Sequence, residues 1–148
     1  MKKIFIKTIF IFFLFIFELI VKDNFLLLNK DRVNVRYGPS FDYPIKYIYK
    51  KINLPIKLID KKENWRRIID LKNNSGWIHR SMLKPSNSII ILKNKILFKK
   101  PSSFSEPLLR LEKGRLLVIK KCHNNWCNIH TADYSGWVKT DNVWGNIN

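Results

Sequence analysis

The sequence predicts an all-β protein made of two tandem copies of one small barrel-forming unit behind an N-terminal apolar segment. Three observations lead there. Past residue 28, apolar and aromatic residues come in short runs separated by turn signals, the mark of small sandwiches and barrels. Aromatic anchors then recur, in order, about 60 residues apart. Finally, the chain opens on one short uncharged run unlike anything downstream.

That opening run is Thr8 to Phe17, rich in Ile and Phe, preceded by Met1-Lys2-Lys3 and bracketed by Lys7 and Glu18. Crossing a hydrocarbon core takes about 20 apolar residues, so the run is too short to span. It matches the apolar centre of a secretory signal. Residues 18–27 read ELIVKDNFLL and offer no small-x-small cleavage site. The segment 1–24 is therefore expected to be a signal peptide or an uncleaved anchor helix. In the second case Lys7 and Glu18 snorkel and residues 4–21 stay in the membrane.

The short runs downstream are bounded by Tyr37-Gly38-Pro39-Ser40, Lys62-Glu63-Asn64, Asn73-Asn74-Ser75-Gly76 and Pro85-Ser86-Asn87-Ser88. Within them Val33 and Val35 alternate with Asn34 and Arg36, as the buried and solvated faces of a strand do. Gly38-Pro39 opens a long loop with a preset turn. Gly76, just before Trp77, suits a left-handed turn or a close backbone approach. Arg80-Ser81-Met82-Leu83 reads as a single tight helical turn.

Self-comparison gives the duplication. Trp65-Arg66-Arg67-Ile68 returns as Trp126-Cys127-Asn128-Ile129, an offset of 61, and Ser75-Gly76-Trp77-Ile78 as Ser135-Gly136-Trp137-Val138, an offset of 60. Upstream, Arg32 to Pro39 is matched to Lys95 to Ser102 at an offset near 63. Units of this size are marginal alone. The boundary is placed between Pro85 and Asn94, with Ile89-Ile90-Ile91-Leu92 expected to close the first barrel. Cys122 and Cys127 flank a turn-like stretch between two apolar runs. Hairpin geometry can set them face to face for a disulfide, which suits an oxidising compartment.

These residues carry a family resemblance. Val33-Asn34-Val35-Arg36, Gly38-Pro39-Ser40, Tyr43-Pro44-Ile45, Leu54-Pro55-Ile56, Trp65-Arg66-Arg67-Ile68 and Gly76-Trp77-Ile78-His79-Arg80-Ser81 resemble the bacterial SH3-like domain family, in the exported two-domain form of Gram-negative bacteria. The likeness covers residues 29–145. In the second repeat the Gly-Pro string becomes Leu97-Phe98-Lys99-Lys100-Pro101-Ser102, and the glycine is gone. The resemblance implies SH3-like barrels over 29–93 and 94–148. It also implies an aromatic ligand groove between the long first loop and the hairpin loops. Mapped here, the loop is Tyr37 to Tyr43, faced by Trp65 and by Trp77 to Arg80. Tyr37, Asp42, Tyr43, Trp65, Trp77 and His79 are the ligand-binding candidates. Trp65 and Trp77 recur as Trp126 and Trp137, which favours a packing role for both. Tyr37, Phe41 and Tyr43 do not recur as a set, and loop aromatics without a core to join suit a ligand better.

A catalytic site needs convergent titratable groups, and the acidic residues beyond the opening segment are scattered. No spacing sets two carboxylates on one strand face, and no glycine-rich phosphate loop occurs. Cys122, His123, Cys127 and His130 have the right number for zinc. Cys127 and His130, however, fall on opposite faces of one strand, so a disulfide is expected and no metal or cofactor. The formal charge of +17 comes from 28 basic against 11 acidic residues, lysine outnumbering arginine 21 to 7. Such a surface draws polyanions and anionic membranes in a salt-dependent way, or it reflects compositional drift. The combined expectation is an exported, non-enzymatic module of the periplasm or envelope. Peptidoglycan peptides or an envelope protein are its expected ligands. The alternative is a scaffold held on an anionic membrane surface. Basic residues interleaved with aromatics, as in Tyr47-Ile48-Tyr49-Lys50-Lys51, suit stacking on single-stranded nucleic acid, a partner that export argues against, and Tyr47 or Tyr49 is as easily core.

Overall fold

The computed structural model describes residues 24–131 and 133–147, so the segment read as signal or anchor lies outside the described residues. Among the described residues, no helix is long and apolar enough to cross a membrane. The first sheet comprises β1 (Phe25–Leu28), β2 (Val33–Arg36), β3 (Ile45–Tyr49), β4 (Pro55–Lys62), β5 (Trp65–Ile69), β6 (Ser75–His79) and β7 (Leu83–Pro85). The second comprises β8 (Ser88–Ile91), β9 (Lys95–Phe98), β10 (Pro107–Leu111), β11 (Leu116–His123), β12 (Trp126–Thr131), β13 (Tyr134–Lys139) and β14 (Val143–Gly145). Their orders, β3-β2-β6-β5-β4-β1-β7 and β10-β9-β13-β12-β11-β8-β14, are the same arrangement twice. The expected all-β pair of SH3-like barrels is therefore what the chain forms. The tight turn expected at residues 80–83 is also present, as a 3₁₀ turn over Arg80–Met82.

Each sheet curls around its own core. In the first barrel Leu28, Val33, Val35, Ile56, Ile68 and Ile78, from five different strands, are all fully buried together. The alternation in β2 delivers this, with Val33 and Val35 inward and Asn34 exposed. The second barrel packs Ile91, Leu97, Leu117, Ile129 and Val138 in corresponding places and adds Ile89 and Leu111 to its core. Its hairpin β11–β12 turns on Asn124 and Asn125, both at positive φ (45° and 63°), as a two-residue hairpin turn of matching twist requires. This register places Cys122 opposite Cys127, and the two form a disulfide.

Two expectations are corrected. The run Ile89 to Leu92 does not close the first barrel: β8 pairs with β11 and β14 and is the first strand of the second sheet. The division between sheets therefore falls before Ser88, not at 93/94, and the first barrel likewise begins with β1, ahead of residue 29. All four residues of β8 are buried. Ile89 and Ile91 join their own core, while on the opposite face the Ser88 hydroxyl donates to the Asn53 carbonyl of the first barrel at 2.6 Å. A strand covered on both sides reads as a continuous apolar run whose sheet is not written locally.

The second correction concerns the repeat register. Arg36 pairs with Trp77 and Phe98 with Trp137, so the offset at β2/β9 is 62, one less than expected. Lys95 therefore occupies the core place of Val33. It is only 7% exposed, and its ammonium lies 3.1 Å from Asp141, which also pairs with Lys93 at 2.6 Å. Hydrogen bonds from Lys93, Asn142 and Lys95 hold the Asp141 carboxyl well below the usual carboxylate range.

The barrels are also clamped to each other. The Trp144 indole N–H donates to the Pro55 carbonyl at 3.0 Å, and its ring meets Phe25 of β1 edge-on at 5.0 Å.

Two outcomes follow from this packing. Asp141→Ala leaves a buried ammonium unpaired and should cost about 1–2 kcal/mol by urea unfolding, the half-exposed carboxylate being partly screened. Lys95→Val in the same chain should restore wild-type stability, as replacing a buried ion pair with apolar packing commonly does. Because the folded pKa of Asp141 is depressed, the pair contributes fully above the unfolded carboxylate value. That contribution fades as pH falls below about 4. Trp144→Ala should split the calorimetric melt into two transitions, and a single unshifted transition would show that Trp144 does not couple the barrels.

Candidate functional site

The long first loop, between β2 and β3, is held by its own backbone. Tyr37 N–H donates to Pro44 O, Ser40 N–H to Gly38 O, and Tyr43 N–H to Ser40 O. The Ser40 hydroxyl accepts from the Asp42 N–H at 3.1 Å and lies 3.1 Å from the Asp42 carboxylate. The Arg36 guanidinium closes the loop onto β2 by donating to the Tyr43 carbonyl at 2.7 Å. With the loop so held, Phe41 projects from its tip.

Phe41 meets two residues brought together by strand pairing. Trp65 opens β5 and His79 ends β6, and the register sets them directly opposite, so they share a face. The three rings form a cluster: Phe41 to Trp65 at 5.0 Å, Phe41 to His79 at 5.5 Å and Trp65 to His79 at 5.4 Å. Spacings of this kind suit edge-to-face and offset contacts. Arg36 sits over Phe41 at 5.5 Å, within cation–π range. Trp65 is 6% exposed although it lies outside the main core cluster, while Phe41 is 67% exposed.

Beside this cluster is a shallow depression of about 190 Å³ lined by Arg32, Asn34, Arg36, Phe41, Trp65, His79, Ser81 and Met82. The imidazole is oriented by the turn that follows it. His79 Nδ1 accepts from the Ser81 N–H at 3.4 Å and lies 2.8 Å from the Ser81 hydroxyl. A neutral imidazole accepting at Nδ1 carries its proton on Nε2. The lining thus offers two guanidiniums, an imidazole N–H, a carboxamide and a hydroxyl around an aromatic wall, with no carboxylate among them. It is a surface for holding anionic or carbonyl-rich groups against rings.

Of the six residues expected to bind ligand, the structure brings Trp65 and His79 together here. The other four lie elsewhere. The Tyr43 ring lies across Gly38, where a Cβ would come within 2.5 Å of it. Tyr37 is stacked under Lys46 at 5.6 Å. Asp42 turns back to Ser40. Trp77, half-buried between Arg36 and Arg67 in the strand register, does not line the depression. Phe41 and Arg36 take their place. Both were visible in the sequence, Phe41 as a loop aromatic without a counterpart and Arg36 as the outward partner of Val35. What the sequence does not carry is the loop's hydrogen bonding, which decides which aromatic faces the tryptophan.

The second barrel repeats this loop backbone, with Lys99 N–H to Glu106 O, Ser102 N–H to Lys100 O and Ser105 N–H to Ser102 O. Its side chains differ. Serine stands at 103, Phe98 from β9 meets Trp126 at 5.7 Å, and Lys139 lies over Trp126 at 5.6 Å. The three-ring cluster is therefore confined to the first barrel. Among the described residues no group of His, Cys, Asp and Glu is placed to hold a metal ion, and both cysteines are joined to each other.

The family model described as the bacterial SH3 domain matches residues 29–85 and, separately, 93–145. No curated protein matches the chain. Among solved structures the chain is similar to NlpC2 from Trichomonas vaginalis, at 11% identity and a TM-score of 0.39 over 84% of this chain and 49% of that one. It is also similar to NlpC1 from the same organism, at 11% identity and a TM-score of 0.38 over 84% and 46%. The chain spans about half the length of the solved structures it matches.

Proposed function

The chain belongs to the bacterial SH3 domain family, and on that footing we propose that it is an exported, non-enzymatic binding protein of the cell envelope. Its ligand is a carboxylate-bearing peptide, of peptidoglycan or of an envelope protein, held at the Phe41–Trp65–His79 surface of the first barrel. The observation that carries this reading is the pairing of a three-ring cluster with Arg32 and Arg36 in one depression that no carboxylate lines. Guanidiniums grip carboxylates in two-point contacts, and aromatic walls supply contact area at little entropic cost. Export rests on the apolar run Thr8 to Phe17 behind Met1-Lys2-Lys3.

A second reading has its own observation. Phe104, at the tip of the second barrel's first loop, is fully exposed, on a chain of net charge +17. An apolar tip on a strongly basic chain suits attachment to an anionic membrane surface, with the barrels serving as a scaffold.

Retention on purified sacculi across a salt series, beside a charge-matched basic protein, tests the first reading. The protein should outlast the control at high salt, and Phe41→Ala or Arg36→Ala should weaken retention about tenfold or more, as loss of a hot-spot contact does. Retention that fades with the control would sink the groove as a wall-binding site. Salt-sensitive pelleting with anionic vesicles, lost in Phe104→Ala, would then support the scaffold. A periplasm-dependent reporter fused after residue 30 should be active, and its silence would remove export.

A further inference from the structure

A second concave site lies where the barrels meet. A cavity of about 700 Å³ opens between the first barrel and Ile90 and Gly114 of the second. Small-ligand sites fall in this size range and favour domain junctions. Of its lining residues, Pro55 accepts from the Trp144 indole, and Ile90 lies on the strand whose Ser88 donates to Asn53.

Three side chains in this cavity form a directed chain of hydrogen bonds. The Tyr49 hydroxyl donates to Asp70 Oδ2 at 3.0 Å, and Tyr47 and Tyr49 hydroxyls are 3.3 Å apart. Asp70 is 9% exposed. Its other oxygen accepts from the backbone N–H groups of Lys72 at 2.8 Å and Asn74 at 2.9 Å, and the Asn74 carboxamide reaches both oxygens. Burial is the leading cause that pushes both phenols above their ordinary range, so both keep their protons. A phenol has a single proton. Tyr49 commits its proton to Asp70, which leaves its oxygen free to accept from the Tyr47 hydroxyl at 3.3 Å. When Tyr47 donates there, its own lone pairs face the cavity, polarised through the chain by the carboxylate behind it. In that arrangement the cavity presents an electron-rich acceptor. Lys51 and Lys72 line the same space and supply cations, while Leu54 and Leu71 supply apolar wall.

We infer that the inter-barrel cavity binds a short apolar peptide with both termini free. Its ammonium donates to the Tyr47 oxygen, its carboxylate meets Lys51 and Lys72, and its side chains lie on Leu54, Leu71 and Ile90. The site shares no residue with the Phe41 depression and stands apart from the reading above.

The test is an NMR titration of the isotope-labelled full chain with leucyl-leucine, beside N-acetyl-leucyl-leucine and leucyl-leucinamide. Shifts should centre on Tyr47, Leu71 and Ile90, and the free dipeptide should bind at least about tenfold more tightly than either capped form, as expected for hydrogen bonds to charged groups. Tyr47→Phe should abolish the advantage over the N-acetyl form alone, and Lys51→Ala with Lys72→Ala the advantage over the amide alone. Leu71→Glu, an exposed turn position, should weaken the dipeptide several-fold by repelling its carboxylate while sacculus retention is unchanged. Equal binding of capped and free forms would reduce the site to an apolar cleft and overturn the inference. So would the absence of shifts up to about 10 mM, an affinity too weak to count as recognition, or shifts that map to Phe41 and His79.

Discussion

The first barrel depends on how closely β2 can approach β6. A Cβ on Gly76 would come within 2.4 Å of the Val35 side chain and 3.0 Å of the Arg36 carbonyl oxygen. No side chain fits there, because real Cβ atoms never sit so close to packed neighbours. With glycine in place, Arg36 pairs with Trp77 and the curl of the sheet is completed between β2 and β6. The same approach sets where the loop after β2 begins, and so carries Phe41 onto Trp65 and His79. The second barrel obeys the same constraint: Gly136 lies against the Phe98 carbonyl oxygen, 2.7 Å from where a Cβ would be. One closure, built on the recurring glycines Gly76 and Gly136, thus underlies both barrels.

A barrel of fewer than 70 residues has little apolar surface to bury and is close to the limit of independent folding. This chain answers that limit by sharing. The outer face of β8 is covered by the first barrel, and Trp144 of the last strand reaches back to Pro55 and Phe25. Contacts of this kind join two marginal units and leave a cavity at their junction. The second barrel also tolerates Lys95 in a core position, with Asp141 supplying its partner. Its disulfide closes a short loop, so it stabilises one hairpin and contributes little to joining distant parts of the chain.

Much of the fold was legible because it is local. The alternation in Val33 to Arg36, the turn residues and the recurrence of Trp65 and Gly76 each encode one element and its repeat. What stayed illegible depends on the partner strand. Ile89 to Leu92 announces a strand but not which sheet it joins, since both of its faces are buried. The one-residue slip at Lys95 arose because a buried lysine imitates the exposed phase of a strand, and side chains change face with every residue. At the candidate site, Trp65 and His79 were readable from the paired runs that hold them. Tyr37, Asp42 and Tyr43 sit in the same loop as Phe41, and only the hydrogen bonds around Ser40 and Arg36 decide which of the four faces the tryptophan.

The duplication separates what holds the first loop from what the loop presents. The backbone bonds at 37–44 recur at 99–106 with a constant offset of 62, as does the bond from the Asp42 N–H to Ser40 Oγ, whose counterpart runs from the Phe104 N–H to Ser102 Oγ. These bonds involve main chain and serine, so the outward positions are free to change without cost to the scaffold. They have changed together. Phe41 has become Ser103, Asp42 has become Phe104, Arg36 has become Phe98 and His79 has become Lys139. Each of these substitutions alone would leave an aromatic or a cation at the first-barrel surface. Jointly they remove the three-ring cluster, set Trp126 against Phe98 and Lys139, and shift the exposed loop aromatic by one position, from the place of Phe41 to Phe104. The two barrels thus use one framework to present different chemistry, an aromatic cluster beside two guanidiniums on the first and a fully exposed phenylalanine on the second.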